Sequence, residues 1–339
     1  MNVSFCNFHE QLNTGNYMFR HANTSIGDDL LCPFIELKSL AGRNGIRVGT
    51  VDAIHVAEAD AVIFVDMPDP DNRYFREAAS LKMPLYLIDL ESRLVRPANG
   101  DRSQHVPFRK IFTYDDSLVD GSRYLKIHYS YVIPKNCTGI PPAQRRFCTM
   151  IAGNKRSRHP LELYSERLAA IRWFERYHPD EFDLYGVGWD EYLFPDVRFV
   201  KGLNHFHALR RTLAPPFPSW KGTVRRKRDV MGQYRFALCY ENVRDVAGYI
   251  TEKLFDAFFA GCIPVYRGAP NVAQYLPVDS YVDVGDFYSF DALYQFMRQM
   301  DDATCEKYRA AAADFLSSDS AQQFSCRRFA ETIIKGLSS

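Results

Sequence analysis

The residues best equipped for chemistry lie between positions 236 and 253. Phe236-Ala237-Leu238-Cys239-Tyr240 is a compact apolar run that reads as a buried strand, and Glu241-Asn242 fall at its carboxyl end. A polar loop containing Gly248 leads to Tyr249-Ile250-Thr251-Glu252-Lys253. Thr251 has the chemistry of a helix N-cap, and Glu252 at the first helical position suits the positive end of the helix dipole. Leu254, Phe255, Phe258 and Phe259 then supply an apolar face, and Gly261 a stop. A second strand over 263–266 ends in Arg267-Gly268. Two loops and a helix N-terminus thus converge on one sheet edge, where backbone N–H groups, Lys253 and Asn242 could hold a pyrophosphate. Glu252 there could accept hydrogen bonds from a ribose diol. On residue chemistry alone, a solvated Glu-Lys pair at an ordinary helix start fits as well.

Such a site needs strands and helices in alternation, and the chain supplies them. Its 339 residues exceed what one hydrophobic core serves efficiently, so two domains are expected. Apolar runs at 3–8, 61–65, 85–90 and 110–113 predict strands in the first half, with a helix over 71–81. In the second half strands are predicted at 147–152, 182–185, 236–240 and 263–266, with helices over 161–176 and from Thr251. Between them Val132-Ile133-Pro134 through Gly139-Ile140-Pro141-Pro142 can continue neither a helix nor a central strand. The fold class is therefore α/β, as two Rossmann-like, doubly wound domains facing a cleft. The expected boundaries are 1–140 for the first domain and 141–318 for the second. A C-terminal helix within 319–339 is expected to pack back on the first domain.

Bulk properties exclude several alternatives. Lys+Arg 42 against Asp+Glu 41 leaves a net charge of +1, which gives no global electrostatic case for nucleic acid or an anionic membrane. The cysteines at 6, 32, 137, 148, 239, 262, 305 and 326 show no CxxC spacing and several sit in apolar runs, so they read as buried, reduced thiols. The first residues, Met1-Asn2-Val3-Ser4-Phe5, lack the basic and apolar regions of a signal peptide. A cytoplasmic protein, at most peripheral to a membrane, is expected.

The string YRFALCYENVRDVAGYITEKLFDAFFAGCIPVYRGAPNV closely resembles the donor-binding signature of the α1,3/4-fucosyltransferases, glycosyltransferase family 10. The resemblance implies a GT-B fold and a GDP-fucose donor contacted by Asn242, Tyr249, Glu252 and Lys253. Glu252 would hold the ribose hydroxyls and Lys253 the phosphates. The stretches MIAGNKRSRHPLELYSERLAAIRWFER and FDLYGVGW resemble the family's first donor-domain strand, helix and glycine turn. They add Arg167 and Lys155 as phosphate-binding candidates, and Lys227 matches a family lysine ahead of the signature. Arg267 departs from the family pattern.

The activity so implied is inverting transfer of L-fucose from GDP-β-L-fucose to an acceptor hydroxyl, α1,3 to GlcNAc of a LacNAc-like or lipopolysaccharide acceptor. Partners are then the donor and an acceptor oligosaccharide or lipid-linked glycan, with no nucleic acid. Inversion requires one general base. Glu91, after the apolar run Leu85-Tyr86-Leu87-Ile88-Asp89-Leu90, resembles the family's Glu-Ser segment and is the expected base, with Asp66 its rival. Departing charge on GDP can be met by Lys, Arg and helix N–H groups, so no metal and no other cofactor is expected. The pair Asp115-Asp116 is not read as a metal site. The competing readings are transfer of another GDP-sugar and an inactive sugar-nucleotide-binding protein.

Overall fold

The computed structural model describes residues 1–22, 29–134, 140–141, 144–194 and 200–338. In chain order its strands and helices are β1 (Asn2–Asn7), α1 (Cys32–Arg43), β2 (Arg47–Thr50), β3 (Ala61–Val65), α2 (Arg73–Ser80), β4 (Leu85–Asp89), β5 (Phe108–Thr113) and β6 (Tyr124–Lys126). There follow β7 (Arg146–Ile151), α3 (Tyr164–Tyr177), β8 (Phe182–Tyr185), α4 (His207–Thr212), α5 (Lys227–Met231), β9 (Tyr234–Tyr240), α6 (Glu252–Phe259) and β10 (Ile263–Arg267). The last are β11 (Val282–Asp283), α7 (Phe290–Gln299), α8 (Asp302–Ser317) and α9 (Cys326–Ser338).

The chain divides into two compact units. Unit 1 comprises Met1–Ile133, Ala247–Tyr249 and Ser318–Ser339; unit 2 comprises Pro134–Val246 and Ile250–Ser317. Of the stretch expected to link them, residues 135–139 and 142–143 lie outside the described residues.

Unit 1 is built on a parallel sheet of order β2-β1-β3-β4-β5-β6. β3 and β4 are buried along their whole length, as expected of strands covered on both faces. One face packs Phe5, Ile63 and Ile88 against Phe34 and Leu37 of α1 and Phe329 and Ile333 of α9. The other packs Phe64, Leu87 and Phe108 with Ala78, Tyr74 and Phe75 of α2. α9 lies flush on the sheet: a Cβ at Gly336 would come within 2.5 Å of the Phe112 ring. Helix α2 begins at Arg73 rather than 71 because the Asn72 side chain accepts the Tyr74 and Phe75 N–H groups, a cap that fixes the start. Strand order reverses between β1 and β3, so the carboxyl ends there, and the loops after β3 and β4, form the edge where such sheets bind ligands.

Unit 2 repeats the plan with order β11-β10-β9-β7-β8, again parallel. Met150, Leu184, Phe236, Leu238 and Val265 pack against Ile171 and Phe174 of α3 and Leu293 and Met297 of α7. Its order reverses between β7 and β9, which places the exits of those strands at the switch point. The expectation of two parallel-sheet α/β units is met. Cys6, Cys148, Cys239, Cys262, Cys305 and Cys326 are buried free thiols and Cys32 is a half-buried one, while Cys137 lies outside the described residues.

Candidate active site

In unit 2 the organising group is Glu241, fully buried one residue beyond β9. Its Oε1 accepts the Thr251 backbone N–H at 2.8 Å, and its Oε2 accepts the Thr251 hydroxyl at 2.5 Å and the Lys253 ammonium at 3.2 Å. A buried carboxylate without such partners would cost several kcal/mol. Thr251 holds the N-cap position of α6, as expected, but its side chain makes no capping hydrogen bond. The hydroxyl is turned to Glu241 instead. Gly268 permits the close packing, since a Cβ there would stand 2.4 Å from the Glu241 side chain.

Asn242 follows and meets α3. The Arg167 Nη2 donates to the Tyr240 carbonyl at 2.6 Å and to Asn242 Oδ1 at 3.0 Å. The backbone of this exit loop is tied to the entry of α3 by Leu163 N–H donating to the Asn242 carbonyl at 3.0 Å and Arg244 N–H donating to the Leu161 carbonyl at 2.9 Å. Arg167, only 4% exposed, is therefore a buried cation at the β9 exit rather than a surface helix arginine.

A second charge cluster sits along α6. Lys227 at the start of α5 reaches Glu252 Oε1 at 3.4 Å and Asp256 Oδ2 at 3.2 Å, while Lys253 reaches Glu252 Oε1 at 3.4 Å. Burial alone would raise the Glu252 carboxyl, but Lys253 and Lys227 outweigh it and hold it far below the usual carboxylate range. Burial alone would lower Lys227, and Glu252 and Asp256 more than reverse that. Glu252 thus stays an anion and a hydrogen-bond acceptor, and Lys227 a cation. A crevice lined by Ile151, Ala152, Arg167, Lys227, Lys253 and Asp256 joins the Arg167 and Lys227 groups.

The β7 exit carries Lys155, exposed on the loop that follows. That loop is fixed by Asn154, whose Nδ2 donates to the Gly188 carbonyl at 2.8 Å, and by Trp189 Nε1 donating to the Ala152 carbonyl at 2.7 Å. Gly186, at φ 128°, is required there, because a Cβ would fall 2.0 Å from the Ala152 carbonyl oxygen. Arg267, which the sequence left unassigned, has its Nε 3.4 Å from Glu166 Oε1 and is an ion-pair partner.

In unit 1 the strand exits bring together Asp66, Glu91 and Asn99. Glu91 is half-buried two residues beyond β4. Asp66, buried and in the left-handed region at φ 63°, accepts the Leu90 and Glu91 N–H groups at 2.8 and 2.7 Å through Oδ1. Burial raises the Asp66 carboxyl, and raises that of Asp89 further, with the Asp66 charge adding to the effect. Tyr129 donates its hydroxyl to the Leu90 carbonyl, and the Tyr114 hydroxyl stands 3.4 Å from the Glu91 carbonyl. Tyr249 is buried here, with its ring 5.1 Å from that of Tyr114 and 5.9 Å from that of Tyr129. The chain thus places Tyr249 in unit 1 and Thr251, Glu252 and Lys253 in unit 2.

Other polar groups of unit 1 have partners of their own. Asn16 Oδ1 accepts the Thr50 N–H at 2.9 Å, and Tyr17 stacks on His21 at 4.3 Å. Asp115 pairs with Arg93 and takes the Ser117 N–H at 2.9 Å, while Asp116 takes Lys126 at 2.6 Å. Among the described residues no group of three or more His, Cys, Asp or Glu is placed to hold a metal ion. Nor is any described helix long and apolar enough to cross a membrane. Sequence reasoning missed Glu241 as an organiser, although a carboxylate directly after a fully apolar strand was its signal. It missed Asn99 altogether, which has no local signal.

Comparison with known proteins bears on this site directly. Residues 214–311 match the model of the glycosyltransferase family 10 (fucosyltransferase) C-terminal region. The alpha-(1,3)-fucosyltransferase FucT of Helicobacter pylori is 40% identical over 77 residues, which are 23% of this chain and 16% of that protein. The alpha-(1,4)-fucosyltransferase of Arabidopsis thaliana is 39% identical over 72 residues, 21% of this chain and 18% of that protein. The match thus spans under a fifth of these relatives' length. In fold, the chain resembles the crystal structure of an alpha1,3-fucosyltransferase, with a TM-score of 0.58 at 16% identity, covering 100% of this chain and 90% of that one. It also resembles Anabaena HepE in complex with UDP-glucose, with a TM-score of 0.57 at 10% identity, covering 100% of this chain and 99% of that one. The resemblance read from residues 234–272 is borne out.

Proposed function

We propose that this chain, which carries a family 10 fucosyltransferase domain, transfers L-fucose from GDP-β-L-fucose to a hydroxyl of an acceptor glycan with inversion. The observation that carries the reading is the charge arrangement at the β9 exit and the α6 start. Glu241 takes the Thr251 hydroxyl, so the N-cap side chain does not cap the first N–H groups of α6, beside Lys253. Arg167 is held by Asn242 in the same crevice as Lys253 and Lys227.

In this reading the helix N–H groups, Lys253 and Arg167 take the diphosphate, and Glu252, kept anionic by its two lysines, accepts the ribose hydroxyls. Lys227, Lys155, Asn242 and Tyr249 complete the donor-binding set. Reaction is a single displacement. The acceptor oxygen bonds to C1 of fucose as the bond from C1 to the β-phosphate oxygen breaks. The acceptor proton passes to Glu91, and the departing electron pair stays on GDP, where the cations stabilise it. Because those cations are protein side chains, the chemistry requires no metal. The acceptor is read as a LacNAc-like or lipopolysaccharide glycan fucosylated α1,3 on GlcNAc.

Calorimetric titration with GDP-fucose, paired with a GDP-release assay, tests this. The wild-type chain binds the donor and releases GDP only with acceptor present, while Glu91→Gln binds equally and releases GDP only at a small residual rate. Failure of the wild-type chain to bind GDP-fucose would end the proposal.

A further inference from the structure

Asp66 and Asn99 meet the base loop in a way that neither catalysis nor simple packing requires. Asp66 Oδ1 accepts from the Leu90 N–H at 2.8 Å, the Glu91 N–H at 2.7 Å and the Asn99 Nδ2 at 2.8 Å. Asn99, 1% exposed in the 3-10 turn Pro97–Gly100, donates also to the Glu91 carbonyl at 2.9 Å, and its own Oδ1 accepts the Met67 N–H at 2.8 Å. Both peptide groups of Glu91 are therefore gripped by two buried side chains that grip each other. Asp66 needs its left-handed backbone to present the oxygen, a conformation that an aspartate adopts at a cost.

We infer that Asp66 and Asn99 are positioning residues that form a clasp fixing the direction of the Glu91 side chain, and that Asp66 is not itself the base. Asp66 is 4% exposed and its Oδ1 is occupied by three donors from the loop it holds, whereas fixing the peptide groups on both sides of Glu91 sets where the Glu91 carboxylate points. Misplacing a general base by about an ångström costs on the order of 10²-fold in rate. The inference rests on the fucosyl transfer proposed above and on Glu91 as its base.

The test combines hydrogen exchange with a double-mutant cycle on the full chain. Asn99→Ala removes the shared donor, and Asp66→Gly, which the positive φ admits, removes the carboxylate alone. Each should speed exchange of the Leu90 and Glu91 amides and lower kcat on the order of 10²-fold, leaving KM for GDP-fucose unchanged. In a Glu91→Gln background, adding Asn99→Ala should lower the residual rate no further. Asn99→Ser serves if the alanine variant does not fold. Unchanged kcat in folded variants would overturn the clasp, and so would an equal loss in both backgrounds. Wild-type turnover by Glu91→Gln would instead remove Glu91 as base and, with it, the clasp's purpose.

Discussion

The Glu241 carboxylate takes both the backbone N–H and the hydroxyl of Thr251, at 2.8 and 2.5 Å. This pairing explains why a threonine at a helix N-cap fails to cap. The strand β9 and helix α6 are joined through one carboxylate, and the helix start is held in place without its N–H groups being consumed by that hydroxyl. Glu241→Gln should destabilise the chain by about 3 kcal/mol, because Lys253 loses a buried partner. Thermal unfolding measures that loss, and donor titration should show weakened GDP-fucose binding.

Arg167 makes two hydrogen bonds from one guanidinium nitrogen, to the Tyr240 carbonyl and to Asn242. A lysine carries the charge on one nitrogen, which cannot hold these two acceptors and also offer a diphosphate the further N–H groups of a guanidinium. Arg167→Lys should therefore lower donor affinity roughly tenfold or more, a loss of about 1.4 kcal/mol. Equal affinity for the two would place Arg167 outside the donor site.

Gly248 sits at φ +81°, where a Cβ would stand 2.3 Å from the Tyr114 carbonyl oxygen and 2.5 Å from Lys126 Nζ. Backbone cannot give way as a side chain can. Gly248→Ala should cost about 1–3 kcal/mol or more, read as a fall in Tm, and should displace Tyr249 from the rings of Tyr114 and Tyr129.

Acid should weaken unit 1 through His128. Burial, and then Lys126, push its imidazole down to about 3 from an ordinary 6.5, against a smaller opposing pull from Asp116. The unfolded chain therefore binds the extra proton first. Stability from this group is complete above pH 6.5 and is lost as pH falls through the window toward 3, by on the order of a few kcal/mol. His128→Phe, which keeps an aromatic ring against Phe324, should flatten Tm between pH 4 and about 6.5, beside a sloping wild type.

Excess EDTA should leave fucosyl transfer at its full rate. Side-chain cations stabilise the leaving diphosphate in the proposed mechanism, so added magnesium or manganese should not raise kcat after chelation. A rate that falls with EDTA and returns with a divalent ion would contradict that part of the mechanism.

Much of the architecture was legible because the central strands are covered on both faces. β3, β4 and β9 are short, largely apolar runs bounded by polar turns, and their length and flanks favour strand over helix. β2, β6 and β11 lie toward the sheet edges as short strands of four, three and two residues, too brief to carry a pattern. Helix α1 was missed as well: its start has no capping side chain. In the site, Glu252 and Lys253 were legible from their place at a helix start. The surroundings of Tyr249 were not, because its ring packs in unit 1 against those of Tyr114 and Tyr129, which are far from it in sequence. The tie of Asn99 to Glu91 spans eight positions and passes through a buried amide, with nothing in the local sequence to mark it.

The central claim is inverting transfer of fucose, and the configuration of the product tests it most directly. The chain is incubated with GDP-β-L-fucose and N-acetyllactosamine, and the product is analysed by proton NMR. The account predicts stoichiometric GDP and a single α-L-fucosyl linkage, recognised by its small H1–H2 coupling. A β-linked product, or a donor consumed with no fucose on the acceptor, would contradict it.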